Sequence, residues 1–318
     1  MSETPRWLRV VARTINATAY LSPKLAGAAA FRLFATPPPV RLRPKDEEFL
    51  ATARTERVAI GALTVPVYSW GDPDAPIVFC SYGWGYNAGR WRHFCPGLLA
   101  AGFRVVAFDP PGHGQSPHRG QLDFPTLAGI QAGLIEYLGG VDSVLGHSFG
   151  GSCLVDALAE LPTELRPTRI CLMAIVSEVG WLFLGYRAFM GLNDRTYRAM
   201  LAELTNRTGK ELAELDVAVR GTELASLQIL LVHDPGDAVT PYRNALRNYS
   251  HWGGSYLYSP AGAGHHLGTE TVTEAVVAWL RSATVPAGAS RNIGDLTPLP
   301  VRYGRQEESG RSVGDFYR

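Results

Sequence analysis

The run DSVLGHSFGGS, Asp142–Ser152, sets a short apolar stretch against one serine and surrounds that serine with Gly146, Gly150 and Gly151. Glycine loses more backbone freedom on folding than any other residue, so a cluster at a strand end or helix start implies a local need for small residues. Gly146-His147-Ser148-Phe149-Gly150 fits G-x-S-x-G. In a chain with 34 glycines the bare pattern is weak. Its setting is more specific: an apolar strand-like run leads directly into it, and the helical sequence GGSCLVDALAEL follows. In that strand–turn–helix setting a serine sits on a strained elbow with its hydroxyl exposed. The plain alternative is a glycine-rich helix start capped by a serine.

Outward from this run, strands and helices alternate. RVAIGALTVPVYSWG (Arg57–Gly71) reads as a β-hairpin. IVFCSY (Ile77–Tyr82), RVVAFD (Arg104–Asp109), RICLMAIV (Arg169–Val176), LQILLVH (Leu227–His233) and SYLYS (Ser255–Ser259) read as further strands. Between them, Ala88–Gly102, Phe124–Gly140, Gly150–Leu161 and Val239 to about Ser250 read as helices, and Thr269–Ala283 as a last amphipathic one. The alternation predicts an α/β fold, a mainly parallel β-sheet flanked by helices. Residues 177–225, between the fourth and fifth buried strands, carry Trp181, Phe183, Tyr186, Phe189 and Met190. They read as a small helical cap, with Trp181 and Tyr186 as candidate substrate contacts. The expected organisation is an N-terminal helical segment (1–54), an α/β domain (55–283) and a flexible tail (284–318).

Composition narrows the partners. The chain has 318 residues, 46% of them hydrophobic, enough to fill a core. A net charge of +1 gives no pull toward nucleic acid. Cys80, Cys95, Cys153 and Cys171 lack metal-ligand spacing, and with Cys80 and Cys171 in apolar runs they read as buried thiols. At the N-terminus, Arg9, Arg13, Lys24 and Arg32 interrupt every apolar run before it reaches the ~20 residues of a membrane span. The segment reads as two amphipathic helices ended by Pro37, Pro38 and Pro39. A cytoplasmic protein is expected, with peripheral membrane contact the less favoured reading. Nothing in the composition indicates an oligomeric state.

A serine hydroxyl needs a base, and the base an orienting carboxylate. In a strand–elbow–helix fold both follow the serine in the chain. HDPGDAVTP offers Asp234 and Asp237; AGAGHHLG offers His265 and His266.

With SYGWGYN, DPPGHGQS, GHSFGG, and HDPGDAVTP paired with GAGHH, the chain resembles the α/β-hydrolase superfamily over about Arg57–Ala283. The resemblance favours Asp237, ahead of Val239-Thr240-Pro241, as the acid and His265 as the base. It leaves His147 and His233 as supporting residues and His113 in a structural loop. It implies an oxyanion hole from the backbone N–H groups of Phe149 and Trp84. Many members have His-Gly where this chain has Tyr82-Gly83, so Tyr82 is a candidate substrate-side residue. The implied activity is a serine hydrolase cleaving a small carboxylic ester or thioester through Ser148, His265 and Asp237. It implies no metal or cofactor. The same triad serves acyl transfer, carbon–carbon bond hydrolysis and biosynthetic thioesterase steps. A non-catalytic binding protein on the same fold is the rival from another class.

Overall fold

A computed structural model describes residues 5–38, 42–118 and 120–301. The chain opens with helices α1 (Arg6–Leu21), α2 (Pro23–Ala35) and α3 (Pro44–Leu50). Ser22 separates the first two; its hydroxyl accepts from Leu25 N–H, and Pro23 starts α2, where a missing N–H costs nothing. An antiparallel hairpin follows, β1 (Arg54–Ile60) and β2 (Leu63–Trp70), then β3 (Ile77–Ser81), α4 (Cys95–Ala100), β4 (Arg104–Phe108), α5 (Phe124–Tyr137), β5 (Ser143–His147) and α6 (Ser148–Glu160). Next come β6 (Arg169–Met173), α7 (Val179–Met190), α8 (Asp194–Thr208) and the short α9 (Val217–Arg220). The chain continues with β7 (Gln228–Val232), α10 (Arg243–His251), β8 (Tyr256–Tyr258), α11 (Glu270–Ser282) and β9 (Ser290–Arg291).

Among the described residues nine strands form one sheet in the order β1-β2-β4-β3-β5-β6-β7-β8-β9. β3 to β8 run parallel; β1, β2 and β9 are antiparallel to their neighbours. This is the expected α/β architecture. The parallel strands are almost entirely buried, which is why they read as unbroken apolar runs. Alternate residues of β3 and β4, Val78 and Cys80 with Val105 and Ala107, share a core with Trp91, Phe94, Leu98, Trp279 and Leu280 from the helical layer. All four cysteines are free and buried.

Several elements differ from their sequence reading for local reasons. Residues 88–102 form a 3-10 turn (Ala88–His93) before α4, with Pro96 in the first helical turn, where it is tolerated. β6 stops at Met173 because Ala174 turns to a φ of 49°. The helix expected from Val239 starts only at Arg243, because the N–H groups of Val239 and Thr240 are held by Asp237 Oδ1. Part of the segment read as a flexible tail is ordered: Ser290 and Arg291 pair with Leu257 and Tyr256, and the Asn292 side chain donates to the Tyr249 carbonyl. The remainder of that segment, 302–318, lies outside the described residues.

The chain divides into two compact units. The larger, Pro39–Ser177 with Val217–Leu299, contains the sheet. The smaller includes two segments that the sequence reading kept apart: the N-terminal helices up to Pro38 and the insertion Glu178–Asp216. Within it, α2 packs along α8 and α1 lies against both. The crossing is close. A Cβ built on Gly27 would stand 2.3 Å from the Ala199 carbonyl oxygen. Trp181 and Tyr186 are buried; the Tyr186 hydroxyl donates to the Ala30 carbonyl (3.4 Å) and its ring meets Phe34 edge-on.

Gly27→Ala is therefore expected to lower stability. Alanine favours a helix by about 1 kcal/mol over glycine, but overpacking a tight contact typically costs about 1–3 kcal/mol. The expected net effect is a lower melting temperature, read by circular dichroism. An unchanged or higher value would show that α2 and α8 separate without cost.

Candidate active site

The site is built where β5 turns into α6. Ser148 has a φ of 53°, a region L-residues rarely occupy, directly between the last strand residue and the helix. The surrounding glycines answer to distance. A Cβ on Gly150 would lie 2.1 Å from the Tyr82 carbonyl oxygen, and one on Gly146 2.6 Å from Gly151 Cα. Across the turn, a Cβ on Gly83 would lie 2.9 Å from Ser148 Cβ. The loop after β3 therefore passes directly against the serine. Gln131, a lone buried amide in the apolar helix α5, ties the two together: its Nε2 donates to Ser81 Oγ (2.6 Å) and to the Gly150 carbonyl (2.8 Å). Ser152 Oγ accepts from Val176 N–H at 2.9 Å, holding the chain beyond β6 to α6.

Ser148, Asp237 and His265 come together. His265 Nε2 lies 3.1 Å from Ser148 Oγ, and its Nδ1 lies 2.8 Å from Asp237 Oδ2. Oδ1 of Asp237 accepts from the N–H groups of Val239 (2.8 Å) and Thr240 (3.0 Å). Burial works against ionisation of Asp237, but hydrogen bonds from His233 and His265 outweigh it and hold the carboxyl well below the usual range. Asp234 is placed differently. Its oxygens accept from the N–H groups of Gly236 and Gly264, so it shapes the loops on either side of the site. His147 donates through Nε2 to the His265 carbonyl (2.7 Å), and burial keeps it neutral.

Phe149 N–H belongs to the first turn of α6, where backbone donors lack helical partners. Trp84 lies on the loop after β3. Neither N–H donates to another described residue. The Trp84 and Phe149 rings meet edge to face at 5.4 Å, and Trp84 meets His113 in the same way. The Trp84 indole N–H is buried without a partner among the described residues. Tyr82 stacks on His147 (4.4 Å), with its hydroxyl 3.2 Å from His266 Nδ1; burial pushes its pKa up to about 12.

Two groups of contacts were not legible in the sequence. His266 lies within hydrogen-bond reach of Tyr82, Tyr86 and Arg90. His113 has the more specific geometry. Its Nε2 accepts from Gly85 N–H (2.9 Å), so the proton sits on Nδ1, which donates to the Pro111 carbonyl (3.0 Å). His113 thus holds the loop that carries Trp84. Its own loop is anchored by Asp109, whose carboxylate accepts from Tyr68 Oη and from the N–H groups of Ala88 and Gln115. The signal was present: a histidine within the turn-rich DPPGHGQS. Its partner, on a different loop, was not. Among the described residues no cluster of side chains could hold a metal ion.

A family model described as "Alpha/beta hydrolase family" matches residues 77–279. A bifunctional esterase/perhydrolase from Acinetobacter calcoaceticus is 34% identical over 108 residues, 33% of this chain and 39% of that protein. A probable serine hydrolase from Drosophila melanogaster is 32% identical over 167 residues, 50% of this chain and 46% of that protein. The chain therefore spans less than half the length of these curated relatives. A haloalkane dehalogenase from Bradyrhizobium elkani, 18% identical, shares the fold over 73% of this chain and 98% of its own, with a TM-score of 0.52.

Burial lowers the pKa of His113 from 6.5 to about 4. The folded state thus binds fewer protons than the unfolded chain between those values, and stability present above pH 6.5 should be lost as pH falls toward 4. His113→Gln keeps an acceptor for Gly85 N–H but cannot be protonated. It is expected to flatten the acid limb of a melting-temperature profile by this one site's share, at most about 3 kcal/mol. An identical slope in both proteins would contradict the neutral, accepting histidine.

Proposed function

Since the chain belongs to the α/β-hydrolase family, we propose that it is a serine hydrolase acting on a carboxylic ester or thioester, with Ser148 as nucleophile, His265 as general base and Asp237 as the group that orients the base. The observation that carries this reading is a single imidazole within hydrogen-bond distance of both partners, 3.1 Å to Ser148 Oγ and 2.8 Å to Asp237 Oδ2. The ionised Asp237 accepts from Nδ1–H, which leaves Nε2 free to take the serine proton. Ser148 Oγ then attacks the carbonyl carbon. The negative charge that develops on the carbonyl oxygen is met by the N–H groups of Phe149 and Trp84, both fixed before substrate arrives. His265 returns its proton to the leaving alkoxide or thiolate as the tetrahedral intermediate collapses to an acyl-enzyme. Water, activated by the same imidazole, releases the acid.

The curated relatives support the ester reading through their names, esterase and serine hydrolase, over part of their length. Acyl transfer would use the same steps with an alcohol, amine or thiol in place of water in the second half. Tyr82, beside Gly83, braces the loop that carries Trp84 through its stack on His147 and its hydroxyl contact with His266.

The test is turnover of p-nitrophenyl esters of rising chain length, with labelling by a fluorophosphonate. Ser148→Ala should abolish both label and turnover in a folded protein; hydrolysis near the wild-type rate would sink the reading. Asp237→Asn should lower kcat by about 10⁴, the loss seen when a triad imidazole loses its orienting carboxylate, whereas Asp234→Asn should cost far less. The reverse order, with both variants folded, would move the acid to Asp234. Tyr82→Phe should retain most activity, well short of the ~10²–10³ loss that follows removal of an oxyanion donor. Complete inactivation would give the phenol a direct part in the chemistry.

A further inference from the structure

The two N-terminal helices hold an unusual distribution of charge and apolar surface. Residues 6–35 carry five cationic side chains and no carboxylate, although the whole chain has a net charge of only +1. The inward face of α1 is small and apolar, Ala12, Ile15 and Ala19, and packs within the helical unit. That face alone would account for an amphipathic helix with a polar outer side. The outer side is not uniformly polar. Trp7, Val10, Ala17 and Leu21 are all exposed, at spacings that align them along one stripe of the helix, and Leu25 at the start of α2 is exposed as well. Leu21 is 92% exposed and Trp7 64%. Beside the stripe run Arg6, Arg9 and Arg13, all exposed, with Lys24 following on α2.

Single exposed apolar residues are ordinary, but an aligned apolar row, broken here only by Thr14 and flanked by like charges, marks an interaction surface. The two components have different needs. The arginines and the lysine call for an anionic partner, and the tryptophan and leucines call for an apolar phase a short distance from those anions. A second copy of this face would supply no anions: a two-fold contact would set one arginine row against another. The interface of an anionic bilayer meets both, with lipid phosphates level with the guanidinium groups and acyl chains below them. Tryptophan favours that depth. Among the described residues no helix is long and apolar enough to cross a membrane, so α1 would lie in the interface plane.

We propose that the exposed face of α1 and the start of α2 dock the protein onto an anionic lipid surface, with Trp7, Val10, Leu21 and Leu25 inserting between headgroups and Arg6, Arg9, Arg13 and Lys24 pairing with lipid phosphates. The proposal does not depend on the triad. It would hold for a protein of any activity with this N-terminal unit.

The experiment is co-sedimentation of the full chain with vesicles of phosphatidylcholine alone, or with about a third phosphatidylglycerol, at low and high salt. Wild type should sediment with the anionic vesicles at low salt and much less with the neutral ones. Trp7→Glu/Leu21→Glu should lower binding at least tenfold. The triple variant Arg6→Ser/Arg9→Ser/Arg13→Ser should weaken binding to anionic vesicles by roughly fivefold per charge removed, with little change on neutral ones. All these side chains are exposed, so melting temperatures and hydrolysis of a short soluble ester should match wild type in every variant. Three outcomes would overturn the proposal: no sedimentation of wild type with anionic vesicles, binding of both variants equal to that of wild type, or a wild-type dimer that Leu21→Glu dissociates, which would make the face a contact between copies.

Discussion

The candidate site rests on how closely two stretches of backbone approach each other. The loop after β3 and the turn from β5 into α6 meet with less than a Cβ's clearance, at Gly83 against Ser148 and at Gly150 against the Tyr82 carbonyl. Only glycine permits this. Ser148 takes a left-handed conformation at this approach, and Trp84 and Phe149 directly follow Gly83 and Ser148 in the chain. Gln131 then fixes both sides from below through Ser81 and Gly150. A larger residue at either glycine would push the two strands' ends apart and open every distance that depends on them.

Two buried carboxylates in this unit carry opposite outcomes of one competition. Asp109 and Asp237 each accept several hydrogen bonds, and burial disfavours the charged form of both. At Asp109 the donors are backbone N–H groups and a tyrosine, and burial prevails, so its pKa is raised. At Asp237 two of the donors are histidines, whose interaction with the carboxylate outweighs burial and keeps it ionised. The nature of the donors, more than their number, separates the raised pKa of one carboxyl from the lowered pKa of the other. The same burial leaves His113 and His147 neutral: His113 offers one fixed donor and one acceptor to the loops it joins, and His147 donates to the His265 carbonyl.

The fold was legible because its signals are local. Each parallel strand is an apolar run bounded by turns, and the GHSFGG elbow lies within a single strand–turn–helix. Ser148 could be found for the same reason. Asp237 and His265 could be reduced only to neighbouring pairs from the residues themselves; resemblance chose between Asp234 and Asp237, and between His265 and His266. What separates the two aspartates physically is which N–H groups face each carboxylate, a property of loop shape that spacing does not encode. The links from His113 to Gly85 and from Arg90 to His266 were invisible, since each joins segments distant in the chain. The pairing of α2 with α8 escaped for a like reason: small residues in both helices permit the contact but do not name the partner.

That pairing has a consequence for how the protein is made. Helices α1 and α2 leave the ribosome well before the helix they pack on, Asp194–Thr208, which follows only after six strands of the sheet and the elbow. Until then Ala26, Ala30 and Phe31 have no α8 to cover them, on a segment rich in positive charge. Closing so long a loop adds little to the final stability, because the entropic cost grows only with the logarithm of its length. Its weight falls on timing instead. These two helices wait for a partner made much later, and in that interval their apolar face is open to chaperones and to other nascent chains.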